Sequence, residues 1–310
     1  MTAEIVLGPA EFAKALGLEA AALGDQTRAL LERSSLRLAP IDAAKQTELE
    51  DETERQIRAG FTVVGEHRAG IWRDAWQEQL ERFEQSGHDL EALNPKFMAD
   101  TAIVRWQGAY AWGVSDRFEL VLFEILRDWL FRTYLADVSH LYEFGSGSAF
   151  NVAAYAKLFP KVPVTALDWA PAAVRLAELL REKHGMSVSG RRFDFFSPDP
   201  TLKLAEGSGV LTMCALEQTG ERFGTFIDFL VAQRPRRVVH VEPIVELYDP
   251  SLRHDRLAIE YHTQRKYLTG LLPALRRLAA DGRIGIPNVR RLRFGSRFHE
   301  CFTIIVWEPK

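Results

Sequence analysis

"VSHLYEFGSGSAFNVAAYAKLFPKVPVTALD", residues 138–168, decides how this chain folds. A short apolar run leads through Gly145-Ser-Gly147 into a helical pattern from Asn151 to Phe159, and a second apolar run closes on Asp168. Strand, helix, strand is the unit from which parallel sheets are built.

The unit repeats toward the C-terminus. "VPVTALD" is followed by a helical pattern from Pro171 to His184, then "SVSGRRFD"; "GVLTMCAL" by Gly220 to Gln233; "RRVVHVEP" by Arg256 to Ala280; and "NVRRLRFG" and "ECFTIIVWEP" close the chain. Pro171 suits a first helical turn, Gly185 follows the end of its helix, and Arg234-Pro235 stops the next. The fold expected is α/β: a doubly wound, Rossmann-like, seven-stranded and mostly parallel sheet with an antiparallel last strand.

From about residue 9 to residue 135 the pattern is mostly helical, rich in Ala, Leu, Glu, Gln and Arg. The division expected is therefore a helical N-terminal region, 1–136, acting as lid, substrate wall or oligomer contact, and a sheet domain, 137–310. "WQEQLERFEQSG" reads as an exposed, charged helix, and Asp116 with Glu119 three residues on reads as the cap of another. "RWQGAYAWGVSD", residues 105–116, is less regular, and its aromatics read either as a mobile lid or as a plug between helical layers.

Composition excludes several classes. The 310 residues are 47% hydrophobic and 26% charged, with a formal net charge of -3, which suits an ordinary globular protein and gives no pull toward polyanions. The arginines near the C-terminus follow one helix and one strand, so no nucleic-acid partner is expected. Phe118 to Leu135 is apolar but carries Glu119, Glu124, Arg127, Asp128 and Arg132, so no membrane span is expected. Cys214 and Cys301 lack any CxxC spacing, no HExxH occurs, and the N-terminus has no basic leader; the expectations are no metal and a reducing cytoplasm.

In a doubly wound sheet, ligands bind at the carboxyl ends of the strands, and the first strand-to-helix turn usually receives a nucleotide. Gly145 and Gly147 let the backbone approach a ligand there, with amides pointing out of a helix N-terminus. Asp168 closes the second strand, where a carboxylate accepts from ribose hydroxyls; a helix cap is its bland alternative. Asp194 closes the third and suits an adenine amine, with Phe195 beside the ring. Glu143 shares a face with Gly145 and suits a cation better than a pyrophosphate. The GxGxxG fingerprint would need glycine at Phe150, and no GKS or GKT follows, so neither a dinucleotide nor a phosphate loop fits.

These residues resemble the class I S-adenosylmethionine-dependent methyltransferases over about residues 137–310. Glu143-Phe-Gly145-Ser-Gly147-Ser-Ala149 resembles the family's first motif, Asp168-Trp169 the acidic end of its second strand, Phe193-Asp194-Phe195 its adenine motif, and Cys214-Ala-Leu216-Glu217-Gln218 the motif after its fourth strand. The resemblance implies S-adenosyl-L-methionine as cofactor: Gly145, Ser146 and Gly147 around its methionyl part, Glu143 at its ammonium, Asp168 at the ribose, Asp194 and Phe195 at the adenine, Trp169 against the adenine face, and Cys214 beside them. Ala149 followed by bulky Phe150 departs from the family, whose third small residue is often glycine.

Methyl transfer requires alignment of a nucleophile with an activated carbon and exclusion of water. Candidates for the acceptor side are Glu217 and Gln218 after the fourth strand, Glu242 closing the fifth, and His262 in "YHTQRKYLTG" on the long helix that follows. The function expected is methylation of a small polar metabolite, an amine or a hydroxyl, with a homodimer possible. Two alternatives keep the fold: attack at the cofactor's aminobutyrate or aminopropyl carbons, releasing methylthioadenosine, and a binding module without chemistry.

Overall fold

The computed structural model describes residues 3–65, 69–96 and 103–310. Leu141–Phe144 (β5) and Val164–Asp168 (β6) are buried at every position, as strands covered on both faces must be. They join Val188–Arg192 (β7), Gly209–Met213 (β8), Arg237–Glu242 (β9), Ile284–Arg291 (β10) and Thr303–Pro309 (β12) in one seven-stranded sheet of order β10-β12-β9-β8-β5-β6-β7. The strands from β9 to β7 run parallel. β12, last in the chain, pairs antiparallel with both β9 and β10, as the two closing apolar runs led us to expect.

Alternate residues of the strands feed two cores. Leu141, Val239 and Ile304 face helices Phe118–Tyr134 (α5), Phe150–Leu158 (α6) and Pro171–His184 (α7), while Tyr142, Val238 and Ile305 face Gly224–Gln233 (α8) and Leu271–Ala280 (α10). The sheet is doubly wound because its period-two pattern is apolar on both sides. No helix among the described residues is long and apolar enough to cross a membrane.

The N-terminal region carries helices Pro9–Ala15 (α1), Asp25–Ser34 (α2), Ala43–Ala59 (α3) and Ala69–Gln85 (α4) before α5. It also holds strands that the helical composition hid. Ile5–Val6 (β1), Arg37–Pro40 (β2), Ile103–Trp106 (β3) and Ala109–Gly113 (β4) form an antiparallel sheet of order β1-β2-β4-β3-β11, completed by Phe294–Gly295 (β11) from the C-terminal end of the chain.

Three sequence expectations change here. "RWQGAYAWGVSD", irregular in the sequence, forms the regular β3–β4 hairpin. Gln107 and Gly108 both take positive φ, 52° and 89°, as a tight hairpin turn requires; Arg105 and Tyr110 are buried, with Tyr110 Oη 3.1 Å from Thr53 Oγ1 of α3. Asp116 does not cap α5: Arg117 holds the N-cap position in the left-handed region without a side-chain cap bond, and Glu119 is buried instead of reaching back. The pattern from Arg256 to Ala280 is two helices, Arg253–Arg265 (α9) and α10, because Lys266 turns left-handed at φ 51° and ends the first. That break aims Leu268 inward, and its N–H donates to the Glu217 carbonyl at 3.1 Å.

Candidate cofactor and acceptor site

At the carboxyl end of β5 the chain turns through Gly145 and Gly147, both at positive φ, 76° and 49°. A Cβ on Gly145 would lie 2.4 Å from the Ala215 Cβ, and one on Gly147 would lie 2.7 Å from the Trp76 indole, so neither position has room for a side chain. Gly145 N–H donates to the Leu167 carbonyl at 2.7 Å, which ties the turn to β6.

Asp168 is buried under this turn. Its Oδ2 accepts from Gly147 N–H at 3.0 Å and its Oδ1 from Ala170 N–H at 2.9 Å. It thus fixes the glycine turn and the start of α7 together, and burial pushes its carboxyl up against the opposing pull of these backbone donors. The Trp169 backbone also donates to it, and a carboxylate with its two oxygens has acceptor capacity beyond these three donors.

Glu143 lies beneath the same turn, 1% exposed. Its Oε1 accepts from Asn151 Nδ2 at 2.9 Å, while Oε2 has no hydrogen-bond partner among the described residues. Burial pushes its carboxyl up to about 8. Ser146 Oγ is likewise buried without a partner among them. Two orphaned polar oxygens beside a bare glycine backbone fit a polar, cationic ligand end.

A cleft of about 430 Å³ opens from this turn, lined by Gly145, Asp168, Trp169, Asp194, Phe195 and Cys214, with Trp72, Trp76 and Gln218 on its far side. Asp194 is exposed, and its Oδ1 accepts from Phe196 N–H at 2.8 Å. Phe195 packs edge-on against Phe226 at 4.8 Å between ring centres. Arg222 lies 4.1 Å over the Phe196 ring at the cleft's rim.

A neighbouring cleft of about 500 Å³ shares Gly65, Gln218, Thr219 and Arg222 with the first, and adds His262, Thr263, Lys266 and Tyr267. His262 is buried, with Nε2 3.0 Å from His299 Nδ1, and burial holds its imidazole down at about 3. It is a neutral hydrogen-bonding group at any ordinary pH. Among the described residues no group of three or more His, Cys, Asp or Glu side chains is arranged to hold a metal.

No protein-family model matches this chain, and no curated protein matches it in sequence. Solved structures do resemble it. A geranyl diphosphate methyltransferase in complex with GPP and sinefungin aligns over 78% of this chain and 98% of its own, at 14% identity and a TM-score of 0.51. The chain has the class I methyltransferase fold. Two further methyltransferases align less well: a geranyl diphosphate C-methyltransferase from Streptomyces coelicolor A3(2) (10% identity, 62% and 81% of the two chains, TM-score 0.47), and an O-methyltransferase family 2 protein from Planctomyces limnophilus (13%, 57% and 52%, TM-score 0.41). This chain spans about half the length of that last protein.

On this methyltransferase fold the residues singled out from the sequence divide into two groups. Gly145, Asp168, Trp169, Asp194, Phe195, Cys214 and Gln218 meet at the smaller cleft, and His262 lines the larger. Glu143, Ser146 and Gly147 lie in or under the glycine turn rather than on the cleft wall.

Glu217 and Glu242 stand elsewhere. Glu242 is fully buried, its Oε1 accepting from Ala215 and Leu216 N–H at 3.1 Å each and its Oε2 from Glu217 N–H at 3.3 Å. It lines neither cleft and holds the turn after β8. Burial, with Glu217 nearby, pushes its carboxyl up to about 8. Glu217 accepts from Gln218 Nε2 at 2.7 Å, is half-buried and lines neither cleft.

Sequence reasoning missed Trp72 and Trp76. They stack at 5.6 Å between ring centres on α4, and Trp72 Nε1 donates to Gln218 Oε1 at 3.4 Å. Their signal was the four-residue spacing of two tryptophans on a helix that otherwise reads as charged surface.

Proposed function

We propose that this protein is an S-adenosylmethionine-dependent methyltransferase acting on a small polar acceptor. The observation that carries the reading is the smaller cleft. Residues from the ends of β5, β6, β7 and β8 converge there on one wall, as a nucleoside-bearing ligand requires in a doubly wound sheet. The uncompensated Glu143 Oε2 and the Cβ-free turn fit the ammonium end of such a cofactor, and Trp169 and Phe195 fit its adenine.

Bound there, S-adenosylmethionine supplies a methyl group on a sulfonium, already activated for in-line displacement. The chain's part is then alignment and exclusion of water. Asp168 accepts from the ribose hydroxyls through its free lone pairs while holding the glycine turn. Asp194 accepts from the adenine amine. Gln218, Thr219 and Arg222, shared by both clefts, stand at their junction, where the acceptor's nucleophile meets the methyl group. Gln218 and neutral His262 orient that nucleophile by hydrogen bonding. The mixed-polarity acceptor cleft of about 500 Å³ favours a small molecule over a nucleic acid.

Isothermal calorimetry against S-adenosylhomocysteine tests the cofactor, and mass spectrometry of products from S-adenosylmethionine with fractionated metabolite extract tests the reaction. Saturable binding with release of S-adenosylhomocysteine is the outcome expected. Methylthioadenosine as product would replace methyl transfer by attack at another carbon, and absence of binding would overturn the reading.

A further inference from the structure

Phe150 stands where a dinucleotide fingerprint would place glycine, and its surroundings give that departure a use. The Phe150 ring packs against the Arg127 guanidinium, 4.1 Å from its centre, and stacks on the Phe123 ring at 5.3 Å, with the guanidinium 5.5 Å from Phe123 in turn. Arg127, on α5, is buried. Its Nη1 donates to the Phe150 carbonyl and to Asn151 Oδ1, both at 3.2 Å. Asn151 Nδ2 in turn donates to Glu143 Oε1 at 2.9 Å.

The chain of bonds has only one sense. Arg127 has no acceptor atom, so Asn151 must turn its carbonyl oxygen toward the guanidinium and its amide N–H toward Glu143. Glu143 Oε1 must then accept, and Oε2 alone is left open, with no partner among the described residues. Without the guanidinium, the amide is free to flip and face Glu143 with its oxygen, which requires Glu143 to keep a proton.

We infer that Arg127 is a positioning residue for the cofactor site: acting through Asn151, it fixes Glu143 Oε1 as the accepting oxygen, so that Oε2 carries the proton in the free protein and, once that proton leaves, accepts from the ammonium of the cofactor's amino-acid end. Phe150 is the platform on which Arg127 rests. The inference rests on the cofactor reading above.

The charged groups that reach Glu143 are Arg127 from α5, which favours its ionised form, and Asp168 from β6, which opposes it. Asn151 from α6 is neutral, and the strand neighbours Ala166 and Leu211 are apolar. Glu124 and Asp128 share α5 with Arg127 and support its charge. Free Glu143 is held neutral by burial, so binding of an ammonium beside Oε2 releases its proton.

The test is calorimetry of the full chain at pH 7, in buffers of differing ionisation enthalpy, against two ligands. S-adenosylhomocysteine carries the ammonium; methylthioadenosine lacks the whole amino-acid end. For wild type, binding of S-adenosylhomocysteine should release close to one proton, and Glu143→Gln should abolish the release. Arg127→Met should weaken S-adenosylhomocysteine about tenfold, the equivalent of one pKa unit on Glu143, and leave methylthioadenosine unchanged. Arg127→Lys should recover most of the loss. Equal weakening of both ligands, or no weakening of either, would overturn the inference while leaving the cofactor reading intact. No binding by wild type would overturn both. Should Arg127→Met fail to fold, Asn151→Leu interrupts the same chain and carries the same expectation.

Discussion

The Trp76 indole of α4 lies directly over Gly147 of the glycine turn, close enough that a methyl group on Gly147 would stand 2.7 Å from its ring. An N-terminal helix therefore completes the wall of a site whose other residues, Gly65 apart, come from the C-terminal half of the chain.

Gly147→Ala should weaken S-adenosylhomocysteine strongly and destabilise the fold by about 1–2 kcal/mol for its left-handed backbone, plus the cost of the clash. The double variant with Trp76→Ala should regain the clash component only. Chemical denaturation of the four proteins in the cycle measures this, and strict additivity would show that the two residues do not touch.

Asp168→Ala removes the acceptor for Gly147 and Ala170 N–H as well as the ribose contact proposed above. Cofactor affinity should fall by at least about tenfold, since hydrogen bonds to a charged group contribute about 1.5–3 kcal/mol. Unchanged affinity in calorimetry would remove Asp168 from the ribose site.

Glu217→Ala removes the acceptor that holds the Gln218 amide and should therefore lower turnover more than cofactor affinity. Glu242→Ala should instead lower stability, because three backbone N–H groups lose their acceptor, at about 1–3 kcal/mol for each left without water. Parallel kinetics and urea denaturation distinguish the two. A Glu242 variant with wild-type stability and reduced turnover would return that residue to the catalytic set.

His240 should make stability fall in acid. Trp307 Nε1 donates to His240 Nε2 at 3.0 Å, so the ring proton sits on Nδ1 and donates to Thr212 Oγ1, 2.9 Å away. Burial holds this imidazole down at about 3, against about 6.5 unfolded. A folded value below the unfolded one means stability present above pH 6.5 and lost as pH falls toward 3. The slope is about 1.4 kcal/mol per pH unit well inside that window. Glu143 and Glu242, raised by burial, act in the opposite sense from about pH 4.5 to 8. Denaturation of His240→Gln between pH 4 and pH 6 should therefore show a slope smaller by about one proton than wild type.

Arg291 pairs with Asp255 at 2.7 Å and Glu300 at 2.5 Å, all three nearly buried. Arg291→Met leaves two carboxylates without their cation and should cost about 3–5 kcal/mol, read as a lower midpoint of thermal unfolding. A loss below about 1 kcal/mol would mean that water replaces the guanidinium there.

How much of this was legible beforehand differs by element. The strands β5, β6, β8, β9 and β12 follow from apolar runs bounded by Gly, Pro and acidic residues, because burial on both faces leaves a continuous apolar signature, whereas the edge strands β7 and β10 are half-buried and carry arginines. The β3–β4 hairpin did not, since its turn is Gln-Gly and its inward residues include Arg105, whose burial depends on carbonyls of His254 and Arg297 far along the chain. Two strand-end carboxylates were separated only by the tertiary structure: Glu242, read for the acceptor side, bonds backbone and lines neither cleft, while Asp168, read for the ribose, bonds backbone and lines the cleft.

The sequence by itself determined the doubly wound sheet, its order of strands and helices, and the glycine turn at the end of β5, because each depends on local periodicity and on residues without a Cβ. Tertiary structure alone decided what closes on that turn. Trp76 over Gly147, and Arg127 reaching Glu143 through Asn151, join residues from α4 and α5 to the sheet. Such contacts between distant segments leave no period in the sequence, since they are set by how the two layers pack.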